Sequence, residues 1–385
     1  MNAVHRSRAR MLRSVLAFSA VASLSLALAS RLQQQSHSAT SPQNSQPGAP
    51  TKTSELHALA SLEPIDTHTH VAKGDASFYA MLDRLHMHIL DILLVDDHDS
   101  YRRAMEPQLE DALRVVRESH GHAALCTSFD PFQFGQADFP ASAIRGLDRD
   151  FAEGAVAVKI WKNIGMELKD RDGHYVLPDN PALGPIFKDI EKHNRMLIAH
   201  VAEPDEAWQA PNPNGLDYSY YKENPTWYMY RKLGAPNKHQ LLEARDHLLA
   251  QNPKLRVVGA HLGSMEDDLD ALAMHLDAYP NFAVDTAARV VHLVVQPSDK
   301  VRGFLLKYQD RILYGTDLEF LKDTAPQDAV KEWETQYAMD WRYFATKDVF
   351  EYSGHKVEGL GLPQAVLRKL YHANAVHWIP GIYSK

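Results

Sequence analysis

The sequence predicts one α/β domain, a (β/α)8 TIM barrel over residues 58–385, with aromatic-rich loop insertions after the fifth and eighth strands. Eight short runs of β-branched and apolar residues alternate with amphipathic segments of helical period, as a barrel of parallel strands requires. A domain of roughly 330 residues also suits one such barrel with insertions. An open, doubly wound sheet is the alternative, but residues 71–75 do not supply the glycine-rich phosphate loop that it favours after its first strand.

The predicted strands and helices alternate from the second strand onward. The strands cover residues 65–70, 89–97, 123–129, 155–161, 196–200, 255–261, 282–286 and 312–317. The helices show apolar residues at spacings of three and four, so that each can bury one face against the sheet. They cover residues 108–119, 141–153, 180–193, 238–251, 266–279, 298–308 and 363–375.

Residues 1–30 have the three parts of a secretory signal peptide: a basic start, an apolar run over 14–29, and small residues at Ala27 and Ala29 for cleavage. An uncleaved membrane anchor is the alternative, although the run is shorter than the ~20 residues of a spanning helix. Residues 31–57 are rich in Gln, Ser, Pro and Thr, which predicts a disordered linker. We therefore expect an exported protein, periplasmic or secreted, with no membrane segment after cleavage.

The composition excludes several classes of partner and site. The chain is 45% apolar and 23% charged, as in ordinary globular enzymes. Its net charge of −8 argues against a nucleic-acid interface, which would be basic. The only cysteine, Cys126, excludes an internal disulfide and a zinc site built from cysteines. We expect a small-molecule substrate, and the sequence leaves a homo-oligomeric state open.

Two histidines with one residue between them, His68 and His70, end the first predicted strand. Side chains of a strand alternate between its two faces, so both imidazoles point the same way. Two neutral imidazoles on one face form half of a metal site.

Four later strand ends carry further ligand-type or charged side chains, namely Lys159, His200, His261 and Asp317. In barrels of this kind the active site lies at the carboxyl ends of the strands. Taken alone, each of these residues is compatible with an ordinary role in the core, at a cap or on the surface. Five such strand ends in order predict a metal site.

The ordered set His-x-His, Lys, His, His, Asp resembles that of the amidohydrolase superfamily. More narrowly, it is similar to the amidohydrolase-related branch, which holds metal-dependent hydrolases and some nonoxidative decarboxylases. The likeness covers roughly residues 60–380. It is carried by residues 157–165 (AVKIWKNIG), 198–204 (IAHVAEP), 259–263 (GAHLG) and 311–317 (RILYGTD).

The resemblance implies that His68 and His70 bind one divalent metal ion and that Asp317 completes the site. Zinc is the default for such ligands, with manganese or iron as alternatives. Asp317 would act as general base toward a water molecule that the metal activates. His200 and His261 would hold a second metal or polarise the substrate. By the resemblance to several mononuclear relatives, His200 would instead be a metal ligand and His261 the base that activates water.

The chemical state of Lys159 separates the two kinds of site that the resemblance implies, one with two metal ions and one with a single ion. In binuclear members the corresponding lysine is carboxylated and bridges two metal ions. An unmodified Lys159 would instead be a cation that binds a substrate anion or stabilises an oxyanion. One or two metal ions per chain are therefore both open.

Aromatic residues are concentrated in the two insertions, where they form either a lid or substrate wall, or a surface packed on the barrel. Trp208 in the first insertion, and Trp161 after the fourth strand, are candidate substrate-binding residues. Arg289, after the seventh strand, is a third, because a guanidinium can clamp a carboxylate; an ion pair to a neighbouring acid is the alternative. Asp285 on that strand is expected to be a structural hydrogen-bonding residue.

We expect from these residues a metal-dependent hydrolase that opens an ester, lactone or amide bond of a small substrate. A nonoxidative decarboxylase using the same metal pocket is the alternative enzyme class. A metal-bearing binding protein without catalysis is a third reading, and it gives no reason for a site that activates water.

Overall fold

The computed structural model of the chain describes residues 51–383. Its central sheet contains parallel strands only. They are β1 (Ile65–Val71), β2 (His88–Ile92), β3 (Ala123–Thr127), β4 (Ala157–Ile160), β5 (Met196–Ala199), β6 (Val257–Gly259), β7 (Phe282–Asp285), β8 (Ile312–Leu313) and β9 (Leu318–Phe320). Their spatial order is β8-β7-β6-β5-β4-β3-β2-β1-β9. A separate antiparallel hairpin follows, formed by β10 (Val349–Tyr352) and β11 (His355–Glu358).

Residues 312–320 bring the sheet back to its first strand. β8 pairs with β7, and β9 pairs with β1. Between these two strands, the backbone N–H of Asp317 donates to the carbonyl oxygen of His68 over 2.8 Å. β9 thus continues the eighth strand, which the sequence predicts over residues 312–317 only and which the structure divides into two short strands. The curled parallel sheet is that of a TIM-like α/β fold, in agreement with the predicted class.

The helices occupy the connections between these strands and the segment after β9. They are α1 (Lys52–Ala60), α2 (Ala76–Arg84), α3 (Ser100–Arg103), α4 (Met105–Glu118), α5 (Phe139–Ala152), α6 (Asn163–Met166), α7 (Gly184–Lys192), α8 (Tyr218–Glu223), α9 (Lys238–Gln251), α10 (Ala260–Gly263), α11 (Leu269–Ala278), α12 (Val290–Val294), α13 (Ser298–Lys307), α14 (Pro326–Ala345), α15 (Gln364–Arg368) and α16 (Asn374–Trp378). Within residues 51–383, none of these helices combines the length and the apolar character needed to cross a membrane.

Alternation along the strands divides the apolar core into two clusters. On β5, Met196 and Ile198 belong to one cluster, while Leu197 and Ala199 belong to the other. The first cluster collects side chains from successive strands, and the second lies between the strands and the helices. Because side chains alternate with period two, His200 continues the face of Met196 and Ile198. The strand pattern therefore directs the site residues to one face of the sheet.

The predicted signal peptide and residues 31–50 of the predicted linker lie outside the described residues. Residues 52–57, predicted as the end of that linker, instead begin α1, so the folded part starts before residue 58. A capping box explains the start: the Ser54 N–H donates to the Thr51 hydroxyl oxygen, and the Thr51 N–H donates to that of Ser54. Leu56 and Leu59 are buried, and α1 packs on α14.

The aromatic-rich segment after the eighth strand is mainly the helix α14 and the β10–β11 hairpin. Trp333, Tyr343 and Phe344 on α14 are fully buried, and Trp341 is nearly so. The indole of Trp333 meets the ring of Phe78 edge-to-face at 4.7 Å between centroids. The sequence leaves two roles open for this insertion, a lid or substrate wall and a surface packed on the barrel. These residues have the second role.

Replacing Trp333 with alanine should lower the free energy of unfolding by about 3–5 kcal/mol, because it leaves a large cavity between α14 and α2. Chemical unfolding followed by circular dichroism measures this loss. Leu233, which is 97% exposed, provides the control, and Leu233→Ala should change the free energy by no more than about 0.5 kcal/mol. Equal effects of the two substitutions would contradict this packing.

Candidate metal centre

His68 and His70 lie side by side on β1, with their ring centroids 5.6 Å apart. Both are buried. The pairing of β1 with β2 shifts its register between Asp66 and Thr69, so the strand is irregular where the histidines begin. Period two places both rings on the same face, as the sequence predicts.

The later strand ends bring the other predicted residues to the same place. Lys159 is on β4, and His200 directly follows β5. His261 lies in α10, just after β6, and Asp317 lies between β8 and β9. The His261 ring lies 4.9 Å from that of His68 and 4.3 Å from that of His200, between centroids. Lys159 Nζ lies 2.7 Å from His68 Nε2. The structure thus gathers all six predicted site residues into one cluster.

Asp317 joins the two histidines of β1. Its Oδ1 atom lies 3.2 Å from Nε2 of His68 and 3.2 Å from Nε2 of His70. The Nδ1 atom of His70 lies 2.7 Å from the carbonyl oxygen of Ile92, and only an N–H can pair with a carbonyl. In the neutral ring, Nε2 of His70 therefore turns a lone pair toward the carboxylate, an arrangement that a shared cation or an extra proton must relieve.

Three imidazoles of this cluster are in environments that disfavour an added proton. Burial lowers the pKa of His68, His200 and His261 well below the ordinary value. Burial would raise the pKa of Asp317, but its interactions with His68, His261 and His70 outweigh it and hold that pKa well below its usual range. The directions of these shifts favour neutral rings at His68, His200 and His261 beside an ionised Asp317.

His200 has no hydrogen-bond partner at either ring nitrogen, although the ring is buried. His261 differs, since its Nδ1 lies 2.9 Å from the carbonyl oxygen of Ala287, which leaves Nε2 as the free atom. Buried polar atoms are rarely left without a partner. The unpaired nitrogens of His200 therefore indicate a position where a metal ion or a substrate would bind.

The donor set therefore fits a divalent ion. His68, His70 and Asp317 each offer one ligand atom, and these atoms lie within 4.8 Å of one another. Two imidazoles and a carboxylate are the ligands that zinc, manganese and iron sites share. Lys159 remains a competing cation, because burial lowers its pKa only to about 8.

Two buried carboxylates that the sequence did not assign to the site support it. Asp66 accepts hydrogen bonds from the backbone N–H of His68 and from the backbone and hydroxyl of Thr316, and burial raises its pKa to about 7. Asp285 contacts the His68 ring, with 2.9 Å between Oδ2 and Nδ1. Asp66 precedes the register shift of β1 and also accepts a hydrogen bond from the Tyr337 hydroxyl on α14. Nothing local in the sequence indicates the partners of either carboxylate.

The predicted substrate-binding residues have different surroundings. The Trp161 ring lies 3.6 Å from Lys159 Nζ and 5.6 Å from the His70 ring, and it therefore belongs to the site. Trp208 is fixed inside the first insertion, where its indole N–H donates to the carbonyl oxygen of Pro236 over 3.1 Å. Arg289 is buried, with Nε 3.6 Å from Oε2 of Glu266, which is the ion pair that the sequence left as the alternative.

The first insertion is attached to the barrel beside His200. Lys162, which follows β4, forms an ion pair with Glu203, which follows β5. The Lys162 ammonium also donates to the Tyr220 hydroxyl over 2.6 Å and lies 4.5 Å from the Trp227 ring centroid. From the sequence, Lys162 is expected to reach the rim of the pocket, whereas sequence reasoning missed Glu203. The position of Glu203 just past a strand end is the signal that could have found it.

A comparison of the sequence with models of known protein families identifies one family. The family model described as Amidohydrolase matches residues 65–380, from the start of β1 to just past α16. No curated protein matches the sequence.

Solved structures with a similar overall arrangement include three enzymes. A 2,6-dihydroxybenzoate decarboxylase from Rhizobium is 14% identical, with a TM-score of 0.48 over 82% of this chain and 98% of that chain. A 5-carboxyvanillate decarboxylase from Novosphingobium aromaticivorans, complexed with manganese, is 14% identical, with a TM-score of 0.45 over 82% and 95%. A dihydroorotase from Campylobacter jejuni is 12% identical, with a TM-score of 0.42 over 82% and 82%. Likenesses at this level carry no conclusion about the reaction.

Replacing His68 or His70 with alanine should remove bound divalent metal while the fold persists, because each ring supplies a ligand atom and neither contributes a large apolar surface. Elemental mass spectrometry of the purified variants measures the metal, and circular dichroism checks the fold. His239, whose side chain is 87% exposed, provides the matched control, since His239→Ala should keep its metal. Retention of metal in both site variants would contradict the assignment.

Proposed function

Because the chain belongs to the amidohydrolase family, we propose that it is a metal-dependent hydrolase that opens an ester, lactone or amide bond of a small substrate. The observation that carries this proposal is the meeting of His68, His70 and Asp317, in which two imidazole nitrogens face one carboxylate oxygen at 3.2 Å. Zinc is the proposed ion from the ligand types, and manganese and iron are its alternatives.

Some of the site residues would bind the metal ion, and others would contact the substrate. His68, His70 and Asp317 would hold the first ion, and His200 and His261 are placed to hold a second or to contact the substrate. When bound, a divalent ion supplies positive charge that acidifies a water molecule and polarises a carbonyl oxygen. A carboxylated Lys159 would serve the two-ion version, whereas an unmodified, cationic Lys159 would serve the one-ion version.

Asp317 is the proposed general base. Its side chain is 31% exposed, whereas those of His68 and His70 are nearly or fully buried, so Asp317 is the ligand that also reaches toward the open side. A low pKa keeps it ionised and able to accept a proton at neutral pH. After accepting the proton of the attacking water, Asp317 would pass it to the leaving group.

Buried positive charge favours a substrate with an anionic group, although Lys162 is paired with Glu203 and Arg289 faces Glu266. Lys159, Lys162 and Arg289 all add positive charge around His200, and each contributes to lowering its pKa after burial. Arg289 could bind a carboxylate, and Lys159 could stabilise an oxyanion. Trp161 would form one wall of the substrate site, and the insertion that contains Trp208 would form a further part of it.

Nonoxidative decarboxylation is the second candidate, and the same three cations favour it. A decarboxylase must hold the substrate carboxylate and supply a proton to carbon, whereas a hydrolase must remove a proton from water. An ionised Asp317 begins as a proton acceptor, which is why hydrolysis stands first. A panel of lactones, esters and amides, run beside hydroxybenzoic acids, separates the two. Acid or alcohol release supports hydrolysis, and CO2 release from the acids alone supports decarboxylation.

Asp317→Asn should lower kcat by about 10²–10⁴-fold, because an amide cannot accept the proton. The measurement is kcat at saturating metal, with the metal content of the variant determined in parallel. Asp323→Asn, at an exposed carboxylate six residues further along, is the matched control and should keep full activity. An Asp317→Asn enzyme with bound metal and unchanged kcat would remove Asp317 as the base.

A further inference from the structure

Asp285, the last residue of β7, is a buried carboxylate that contacts three parts of the candidate metal centre. Its Oδ2 atom lies 2.9 Å from Nδ1 of His68. Its Oδ1 atom accepts hydrogen bonds from the backbone N–H of His261 over 2.7 Å and from that of Ala287 over 3.2 Å. One side chain thus joins the ends of β1, β6 and β7.

The contact with Lys159 determines where His68 carries its proton. An ammonium group donates hydrogen bonds and accepts none. Since Lys159 Nζ lies 2.7 Å from Nε2 of His68, that nitrogen must be the acceptor with a free lone pair. The proton of the neutral ring is therefore on Nδ1, where it is donated to Asp285. In this tautomer Nε2, which lies 3.2 Å from Asp317 Oδ1, carries the lone pair that now faces Lys159 and that a metal ion would take in its place.

The hydrogen bond from the His261 N–H to Asp285 stabilises an unfavourable backbone conformation after β6. His261, Leu262 and Ser264 have φ values of 59°, 55° and 60°, in the left-handed region that side-chain-bearing residues rarely adopt. The Asp285 carboxylate accepts the His261 N–H inside this turn. It also accepts the N–H of Ala287, whose carbonyl oxygen pairs with Nδ1 of the His261 ring. Asp285 therefore fixes both the backbone and the ring direction of His261.

We propose that Asp285 is a positioning residue of the metal centre, which sets the tautomer of His68 and the direction of His261 without binding the ion itself. His68, His261 and Asp285 also offer atoms within 4.8 Å of one another as a ligand group. The direct contact between Nδ1 of His68 and Asp285 leaves no place for an ion between them, which argues against that group. The proposal rests on the metal site of the proposed function and not on the reaction.

Asp285→Asn tests this role with little change of volume. If the amide oxygen keeps the two backbone N–H donors, the amide NH2 faces Nδ1 of His68 and forces the ring proton onto Nε2. If the amide is reversed, its NH2 faces the His261 N–H instead. Either orientation should weaken metal binding by about 10–100-fold, the usual effect of losing a hydrogen-bond partner of a ligand. Calorimetric titration with Zn²⁺ and with Mn²⁺ measures the affinity.

Nitrogen-15 NMR of histidine-labelled, metal-free protein gives the second readout, with the His68 signal assigned by its loss in His68→Gln. Wild-type His68 should carry its proton on Nδ1, and in Asp285→Asn the proton should move to Nε2 or lose its carboxylate partner. Asp340→Asn provides the matched control. Asp340 is a buried carboxylate that accepts hydrogen bonds from Tyr314 and Tyr352, and its amide variant should keep the wild-type metal affinity and tautomer.

Two results would overturn the proposal. One is a wild-type His68 with its proton on Nε2, which is observable even if the Asp285 variant does not fold. The other is an Asp285→Asn protein with unchanged metal affinity. Absence of metal binding in the wild type would instead remove the metal site of the proposed function, and the NMR result would still decide the tautomer.

Discussion

The rest of this structure depends on one constraint: three hydrogen-bond acceptor atoms, from two histidines and one aspartate, are held close together at the candidate metal centre. Nε2 of His68 and Nε2 of His70 both lie 3.2 Å from Oδ1 of Asp317. Acceptors held together in a largely buried site repel one another unless a cation lies among them. In this structure the Lys159 ammonium, 2.7 Å from Nε2 of His68, supplies positive charge at one of them, and a divalent ion would supply it to all three. The fold brings these atoms together from positions 247 residues apart in the chain.

Hydrogen bonds between the ends of neighbouring strands keep these three acceptor atoms in place. Asp66 bonds the backbone of His68 to Thr316, beside Asp317, and so joins the first strand to the last. The left-handed turn after β6 needs Gly259, where a Cβ atom would lie 2.8 Å from the Phe282 ring and 2.8 Å from the Cα atom of Gly263. Buried carboxylates and one close backbone approach thus hold the rings where an ion, rather than water, would satisfy them.

The parts of the fold that follow a strict period could be predicted from the sequence. Alternation gives the strands, and the face shared by His68 and His70 follows from it. Contacts between distant strands could not be predicted, and so Asp285 looks like an ordinary strand-end carboxylate until its partners on β1 and β6 are known. The segment after β9 was expected to be an aromatic-rich loop because of its composition, although Trp333 and Trp341 are spaced by two helical turns and pack as one face of α14.

The metal content of the purified protein tests the central claim most directly. Elemental mass spectrometry after equilibration with Zn²⁺ or Mn²⁺ and removal of free ions would count the ions per chain, and intact mass would detect a carboxylated Lys159. The account predicts at least one ion per chain, with a second only where Lys159 is carboxylated. A correctly folded protein that retains no divalent ion under these conditions would contradict it.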